Sequence, residues 1–68
     1  NPAKTLLNLE SSTPISSAVL RNVFGQVVLE VNENDIKVVD LRNVPNGNYL
    51  LTLSNGDKFS AQKVNVLK

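Results

Sequence analysis

The chain of 68 residues contains no cysteine, histidine, methionine or tryptophan. Without cysteine, neither a disulfide nor a thiolate metal site can form. Without histidine, the commonest general base and metal ligand is missing, so we do not expect an enzyme, a cofactor or a metal centre. Seven basic and six acidic residues leave a net charge of +1. This balance offers no electrostatic basis for binding nucleic acid or an anionic membrane.

Long hydrophobic runs are missing as well. Runs such as 27–29 are far shorter than the roughly 20 apolar residues that a membrane-spanning helix needs, and the first residues do not have the pattern of a signal peptide. We therefore expect no membrane insertion. Because the chain opens on Asn-Pro rather than Met, we interpret residues 1–68 as a single domain cut from a longer protein.

The apolar residues that are present make up 41% of the chain and are mostly Val and Leu. This is enough for a small core and too much for a disordered tail. Apolar and polar residues alternate in short stretches rich in β-branched side chains, which is typical of half-buried strands. The pattern predicts six strands, at 4–10, 15–23, 26–32, 36–41, 48–54 and 57–67. Their spacing of about ten residues favours a small antiparallel sandwich.

Glycine and asparagine mark the turns. Asn55-Gly56 predicts a type I′ turn that joins the last two strands as a hairpin, and Gly25 separates the second and third strands. The last strand changes parity, since Phe59 and Ala61 share one face while the valines that follow share the other. Either a β-bulge near residues 62–63 or a strand that crosses between sheets would explain this change.

Three groups of side chains are candidates for chemistry or binding. Glu30, Glu33 and Asp35 lie within six residues and could hold calcium, but they lack the spacing of a calcium loop, and a polar turn explains them better. The lysines at 58, 63 and 68 could form a basic stripe, although lysines also protect edge strands from aggregation, which we favour. Tyr49 and Phe59 are predicted on apolar faces, which argues against an aromatic platform for carbohydrate.

Four segments carry a family resemblance. They are the opening Asn-Pro-Ala at 1–3, LRNVFGQVV at 20–28, VDLRNVPNGNY at 39–49 and KVNVLK at 63–68. In this order and spacing they resemble the C-terminal sorting domain of cargo proteins of the type IX, or Por, secretion system of the Bacteroidetes. The resemblance covers essentially the whole chain.

The resemblance implies an all-β fold, a small Ig-like antiparallel β-sandwich of six to seven strands. It also implies a non-catalytic signal. In the family, the domain folds in the periplasm beside the upstream cargo domain and is recognised by the type IX translocon. A sortase-like C-terminal signal peptidase then removes it, and the cargo is secreted or stays on the cell surface. The motif residues that would define the fold are Gly25, Asp40, Leu41, Gly47 and Tyr49.

The terminal strand is the predicted recognition element, through Lys63, Val64, Val66 and Lys68. Its backbone could pair with a strand of the translocon, while its side chains supply specificity. Protection of an edge strand by lysine is the competing explanation. A last strand at a sheet edge could also be exchanged between two molecules.

Two other functions stay open at this point. A structural or adhesive Ig-like domain at the end of a cell-surface protein would keep these residues in the mature protein. A carbohydrate-binding module would need an exposed pair of aromatic rings, and the chain has only one Tyr and two Phe.

Overall fold

The computed structural model describes residues 2, 3 and 5–68, and they form seven strands and no helix. The strands are β1 (Pro2–Ala3), β2 (Leu6–Asn8), β3 (Ser17–Arg21), β4 (Val27–Asn32), β5 (Val38–Asp40), β6 (Gly47–Ser54) and β7 (Phe59–Val66). Five of the six predicted strands contain one of β2 to β5 and β7, and the sixth, 48–54, begins one residue after the start of β6 at Gly47. β1 is an addition that the residue pattern did not predict.

The strands form two sheets. The larger sheet has five strands in the order β1-β7-β6-β3-β4, and the smaller one pairs β2 with β5. Neighbouring strands run antiparallel, apart from β1, which runs parallel to β7. In an Ig-like sandwich, β2 and β5 take the places of strands B and E, and β3, β4, β6 and β7 those of C, C′, F and G. The predicted all-β, Ig-like sandwich is confirmed.

The core lies between the two sheets and contains only apolar side chains and one tyrosine. Alternate residues of β3, β6 and β7 point inward and meet side chains from β5 and from the loops. The buried set is Ile15, Ala18, Leu20, Ile36, Val39, Leu41, Val44, Tyr49, Leu51, Val64 and Val66. No polar or charged side chain is buried among the residues described.

The predicted bulge or crossing in the last strand is wrong. β7 pairs with β6 in an uninterrupted register from Gly47 opposite Val66 to Ser54 opposite Phe59. Phe59 therefore lies on the outer face of the sheet and is 76% exposed, so its predicted place on a buried face is also wrong. β2 and β5 have three residues each against eight in β7. Because the small sheet cannot cover the whole inner face of the large one, the first half of β7 needs no inward apolar residue.

A register shift occurs instead between β3 and β4. Leu20 pairs with Leu29 but Arg21 pairs with Val27, which leaves Val28 as the extra residue of a β-bulge. Bulges turn the strand locally, and here both Val27 and Val28 remain exposed.

The hairpin between β6 and β7 is confirmed, but its turn type is not. A type I′ turn needs positive φ at both central residues, and in this hairpin only Gly56 has it, at 98°. Asn55 acts through its side chain, whose Oδ1 accepts hydrogen bonds from the backbone N–H groups of Asp57 and Lys58 at 3.2 and 3.0 Å. The side chain thus takes over the role that a left-handed backbone would have had.

Candidate recognition surfaces

The structure divides the four predicted recognition residues into two pairs. Val64 and Val66 are 3% and 1% exposed and belong to the core. Lys63 and Lys68 lie at the surface. The valines therefore stabilise the strand from inside, and only the lysines and the backbone are accessible to a partner. The recognition role itself stays a prediction.

Among the described residues, only β1 lies along the outer edge of β7. β1 pairs only with Asn65 and Val66, and no other described strand lies beside residues 59–64 on that side. Every second residue of an antiparallel strand directs its N–H and C=O away from its partner. Residues 59–64 consequently present backbone groups that no described strand pairs with, and a further strand could bind to them.

The last residue is anchored although it is exposed. The backbone N–H of Lys68 donates to Asn46 Oδ1 at 3.1 Å, and its Nζ donates to the carbonyl oxygen of Arg42 at 2.8 Å. Both partners lie in the connection between β5 and β6. The tail therefore has a defined position against this connection.

Asp40 and Arg42 form a local ion pair where β5 ends. The guanidinium Nε and Nη2 of Arg42 donate to the carboxylate at 2.8 to 3.1 Å, and its backbone N–H donates to Oδ1 at 3.0 Å. These hydrogen bonds from Arg42 lower the pKa of Asp40 to about 2. Leu41, between them, is completely buried. The Asp-Leu motif thus combines an ion pair at the surface with an apolar side chain in the core.

Tyr49 and Gly47 form the corner that leads into β6. The Tyr49 hydroxyl donates to the carbonyl oxygen of Pro45 at 2.7 Å, and its ring is 9% exposed. A tyrosine near the start of strand F that bonds to the backbone a few residues upstream is the tyrosine corner of Ig-like sandwiches. Gly47 has φ of 156°, and a Cβ there would lie 3.6 Å from the ring, an ordinary contact. The backbone angle, not lack of space, therefore favours glycine.

Gly25 and Asn22 build the tip of the β3–β4 hairpin. Gly25 adopts a φ of 83°, and its N–H donates to the Asn22 carbonyl at 3.0 Å. Asn22 Oδ1 accepts from the N–H groups of Phe24 and Gln26 at 2.9 and 3.0 Å. The sequence predicted the role of Gly25 but missed that of Asn22, which the Asn-x-x-Gly spacing could have indicated.

The acidic residues at 30, 33 and 35 do not converge. Asp35 pairs with Lys37 at 3.3 Å, and Glu30 accepts a hydrogen bond from Asn32 at 3.3 Å. Across the described part of the chain, no three acidic side chains come together in a way that could hold a metal ion. These contacts are those of a solvent-exposed turn.

The aromatic rings do not form a carbohydrate platform. Tyr49 is buried, whereas Phe24 and Phe59 are 84% and 76% exposed. The two exposed rings lie at opposite ends of the large sheet, because Phe24 follows the end of β3 and Phe59 pairs with Ser54 beside the start of β3. A pair of coplanar exposed rings is therefore not available.

Comparison with known protein families identifies the chain. The family model described as "Secretion system C-terminal sorting domain" matches residues 1–67. The chain belongs to this family. The sorting domain is that of the Por, or type IX, secretion system, as the sequence resemblance predicted. Membership of this family implies a role as a secretion signal, contact with the secretion machinery and a secreted or cell-surface destination.

No curated protein and no solved structure gives a significant match. The described part of the sorting domain contains no helix that is long and apolar enough to cross a membrane.

Proposed function

We propose that this sorting domain is a non-catalytic export signal that the type IX translocon recognises in folded form. After passage through the outer membrane, a sortase-like signal peptidase removes it from its cargo. The observation that carries the proposal is the family match over residues 1–67. The exposed surface around the terminal strand supports the proposal, because a translocon that recognises a folded domain needs an accessible strand or side chain to bind.

The structure favours one mode of recognition. Residues 59–64 of β7 offer backbone groups that no described strand pairs with, so a strand of the translocon can extend the large sheet at this edge. Lys63 lies on the outer face of this segment, and Lys68 is held against the connection between β5 and β6, past the end of β7. Backbone pairing provides affinity for any cargo that carries this fold, and the two lysines provide charge at defined positions. Val64 and Val66 act indirectly by holding the strand in the core.

The destination follows from this function. The sorting domain folds in the periplasm beside an upstream cargo domain, and the cargo ends in the medium or on the cell surface. Exchange of the terminal strand between two copies stays a prediction. In the structure, β1 already pairs with Asn65 and Val66, the last two residues of β7.

The test is export of a reporter protein with residues 1–68 at its C-terminus in a bacterium that has a type IX system. Deletion of residues 63–68 should retain the reporter in the periplasm, but it also removes two core valines. Lys63→Glu combined with Lys68→Glu is the sharper variant, because both side chains are exposed. We expect this double variant to accumulate in the periplasm, and Lys58→Glu, at the far turn, to be exported normally.

Two results would contradict the proposal. Normal export of the double variant would show that the translocon does not recognise Lys63 and Lys68. A mature surface protein whose intact mass still includes residues 1–68 would instead indicate the alternative function, a structural or adhesive Ig-like domain.

A further inference from the structure

The tip of the β3–β4 hairpin exposes large apolar side chains that the fold does not need. Val23 is 73% exposed and Phe24 is 84% exposed. The other hairpin of the large sheet, between β6 and β7, has the polar tip Asn-Gly-Asp-Lys at residues 55–58. Asn22 and Gly25 already satisfy the turn, so polar residues at 23 and 24 would serve the fold equally well. Val23 and Phe24 are adjacent, and contiguous exposed apolar side chains are typical of an interaction surface.

The tip is also held rigidly. Besides the bonds from Phe24 and Gln26 to Asn22 Oδ1, the Asn22 side-chain amide donates to Gln26 Oε1 at 2.9 Å, and its backbone N–H donates to the Gln26 carbonyl at 2.9 Å. A loop that is ordered before binding loses little conformational entropy when a partner binds. The position of Phe24 is thus fixed in advance.

A groove of about 710 Å³ lies directly behind this tip. Its floor is a row of cross-strand neighbours on the outer face of the sheet, in which Arg21 pairs with Leu50 and Leu50 pairs with Lys63. Asn48 and Asn65 border the row. The groove therefore combines an apolar centre, two cations and amide groups that can form directional hydrogen bonds.

The charge of the groove is of one sign. Its lining includes two basic residues and no acidic one. Within the described part of the chain, the ion pairs are Lys37 with Asp35 and Arg42 with Asp40, so Arg21 and Lys63 are not neutralised by a neighbour. Complementary charge sets the specificity and the rate of association at protein interfaces.

We infer that the hairpin tip and this groove form a second docking surface, for a protein with an apolar pocket that accepts Phe24 and a rim of carboxylates that faces Arg21 and Lys63. A membrane fits less well, since stable binding to a lipid surface takes a large apolar face or several cations, and the tip offers two apolar side chains. The inference rests on the proposed function, because the partner belongs to the export machinery. The surface lies on the outer face of the large sheet and not along the edge of β7, although it shares Lys63 with the proposed recognition segment.

The test compares two exposed apolar side chains, Phe24 and Val38, in the same reporter fusion. Phe24→Ser should reduce the exported fraction about tenfold or more, because truncation of one central aromatic weakens an interface on the order of 30-fold. Val38→Ser, on the small sheet and 44% exposed, is the control and should leave export unchanged. Arg21→Glu should reduce export as well, while Arg21→Lys should retain it. Urea unfolding of the purified fusions checks that all variants fold.

Each outcome has a separate meaning. Retention of the unmodified fusion in the periplasm would overturn the proposed function, and the docking partner with it. Export of the unmodified and Phe24→Ser fusions at equal levels would overturn the hairpin inference alone. Binding of the purified fusion to phosphatidylglycerol vesicles that is lost in Phe24→Ser would replace the protein partner with a lipid surface. Loss of export in Phe24→Ser and Arg21→Glu, without vesicle binding, supports the inference.

Discussion

The contribution of Tyr49 to stability can be separated into a ring and a hydroxyl. The ring lies in the core at 9% exposure, and the hydroxyl donates one hydrogen bond to Pro45. Tyr49→Phe removes only that hydrogen bond and should cost about 1 kcal/mol. Tyr49→Ala also removes the ring and should cost about 3–5 kcal/mol, the range for truncation of a large buried aromatic.

These losses are large for a domain of this length. At roughly 0.05–0.15 kcal/mol per residue, its total stability is about 3–10 kcal/mol. Tyr49→Ala therefore removes about 30% of the stability or more and, at the lower end, leaves the domain unfolded at room temperature. Tyr49→Phe should stay folded in either case.

Urea denaturation followed by far-ultraviolet circular dichroism is the appropriate assay. Fluorescence is unsuitable, because Tyr49 is the only tyrosine and the chain has no tryptophan. With an m-value of about 1 kcal/mol/M, Tyr49→Phe should lower the urea midpoint by about 1 M. Leu50→Ala is the control on the next position, since Leu50 points outward at 42% exposure and should lose less than about 1 kcal/mol.

Two results would refute this reasoning. A loss below about 1 kcal/mol in Tyr49→Ala would mean that the ring does not support the corner. Equal losses in the Ala and Phe variants would assign the whole effect to the hydroxyl, and packing of the ring would contribute nothing.

Two further predictions concern the surface turns. Asp40 has a folded-state pKa of about 2, below its unfolded value of about 3.9, so it favours folding above about pH 4 and loses this contribution as the pH falls towards 2. Asp40→Asn should make thermal stability less dependent on pH in this window, and an equal dependence in both proteins would contradict the Arg42 pairing. Gly25→Ala should cost about 1–2 kcal/mol because of the positive φ alone, since a Cβ at Gly25 meets nothing within 4 Å. Gly25→Asn should cost less, as asparagine tolerates this conformation, and urea midpoints that rank the two variants the other way would exclude backbone strain as the cause.

The alternation of apolar and polar residues along the chain was enough to predict the strands and much of the core. Leu20, Leu51 and Val64 each belong to a period-two pattern, and each is buried. The Asn-Gly pair at 55–56 also located a hairpin correctly, because such a pair favours a turn whatever surrounds it. The lack of cysteine and histidine excluded whole classes of site before any fold was known.

The face on which Phe59 lies could not be predicted from its own strand. Alternation divides a strand into two faces but does not say which face meets the core, or whether the opposite sheet is long enough to cover it. The three-residue strands of the small sheet leave the first half of β7 uncovered, so the parity of Phe59 needed no bulge. The turn type at Asn55 was missed for a similar reason, since its side chain and its backbone could each have closed the turn.

What the sequence determined by itself was local: strands, turns, the lack of cysteine and histidine and, through its motifs, the family. What only the tertiary structure decided was which residues become neighbours. Arg21, Leu50 and Lys63 are far apart along the chain and form one row only because β3, β6 and β7 pair in this register. The place of β7 beside β6, with its other side facing β1, likewise depends on the strand order. Local preferences act over a few residues, whereas strand order and register follow from burying all the apolar faces at once.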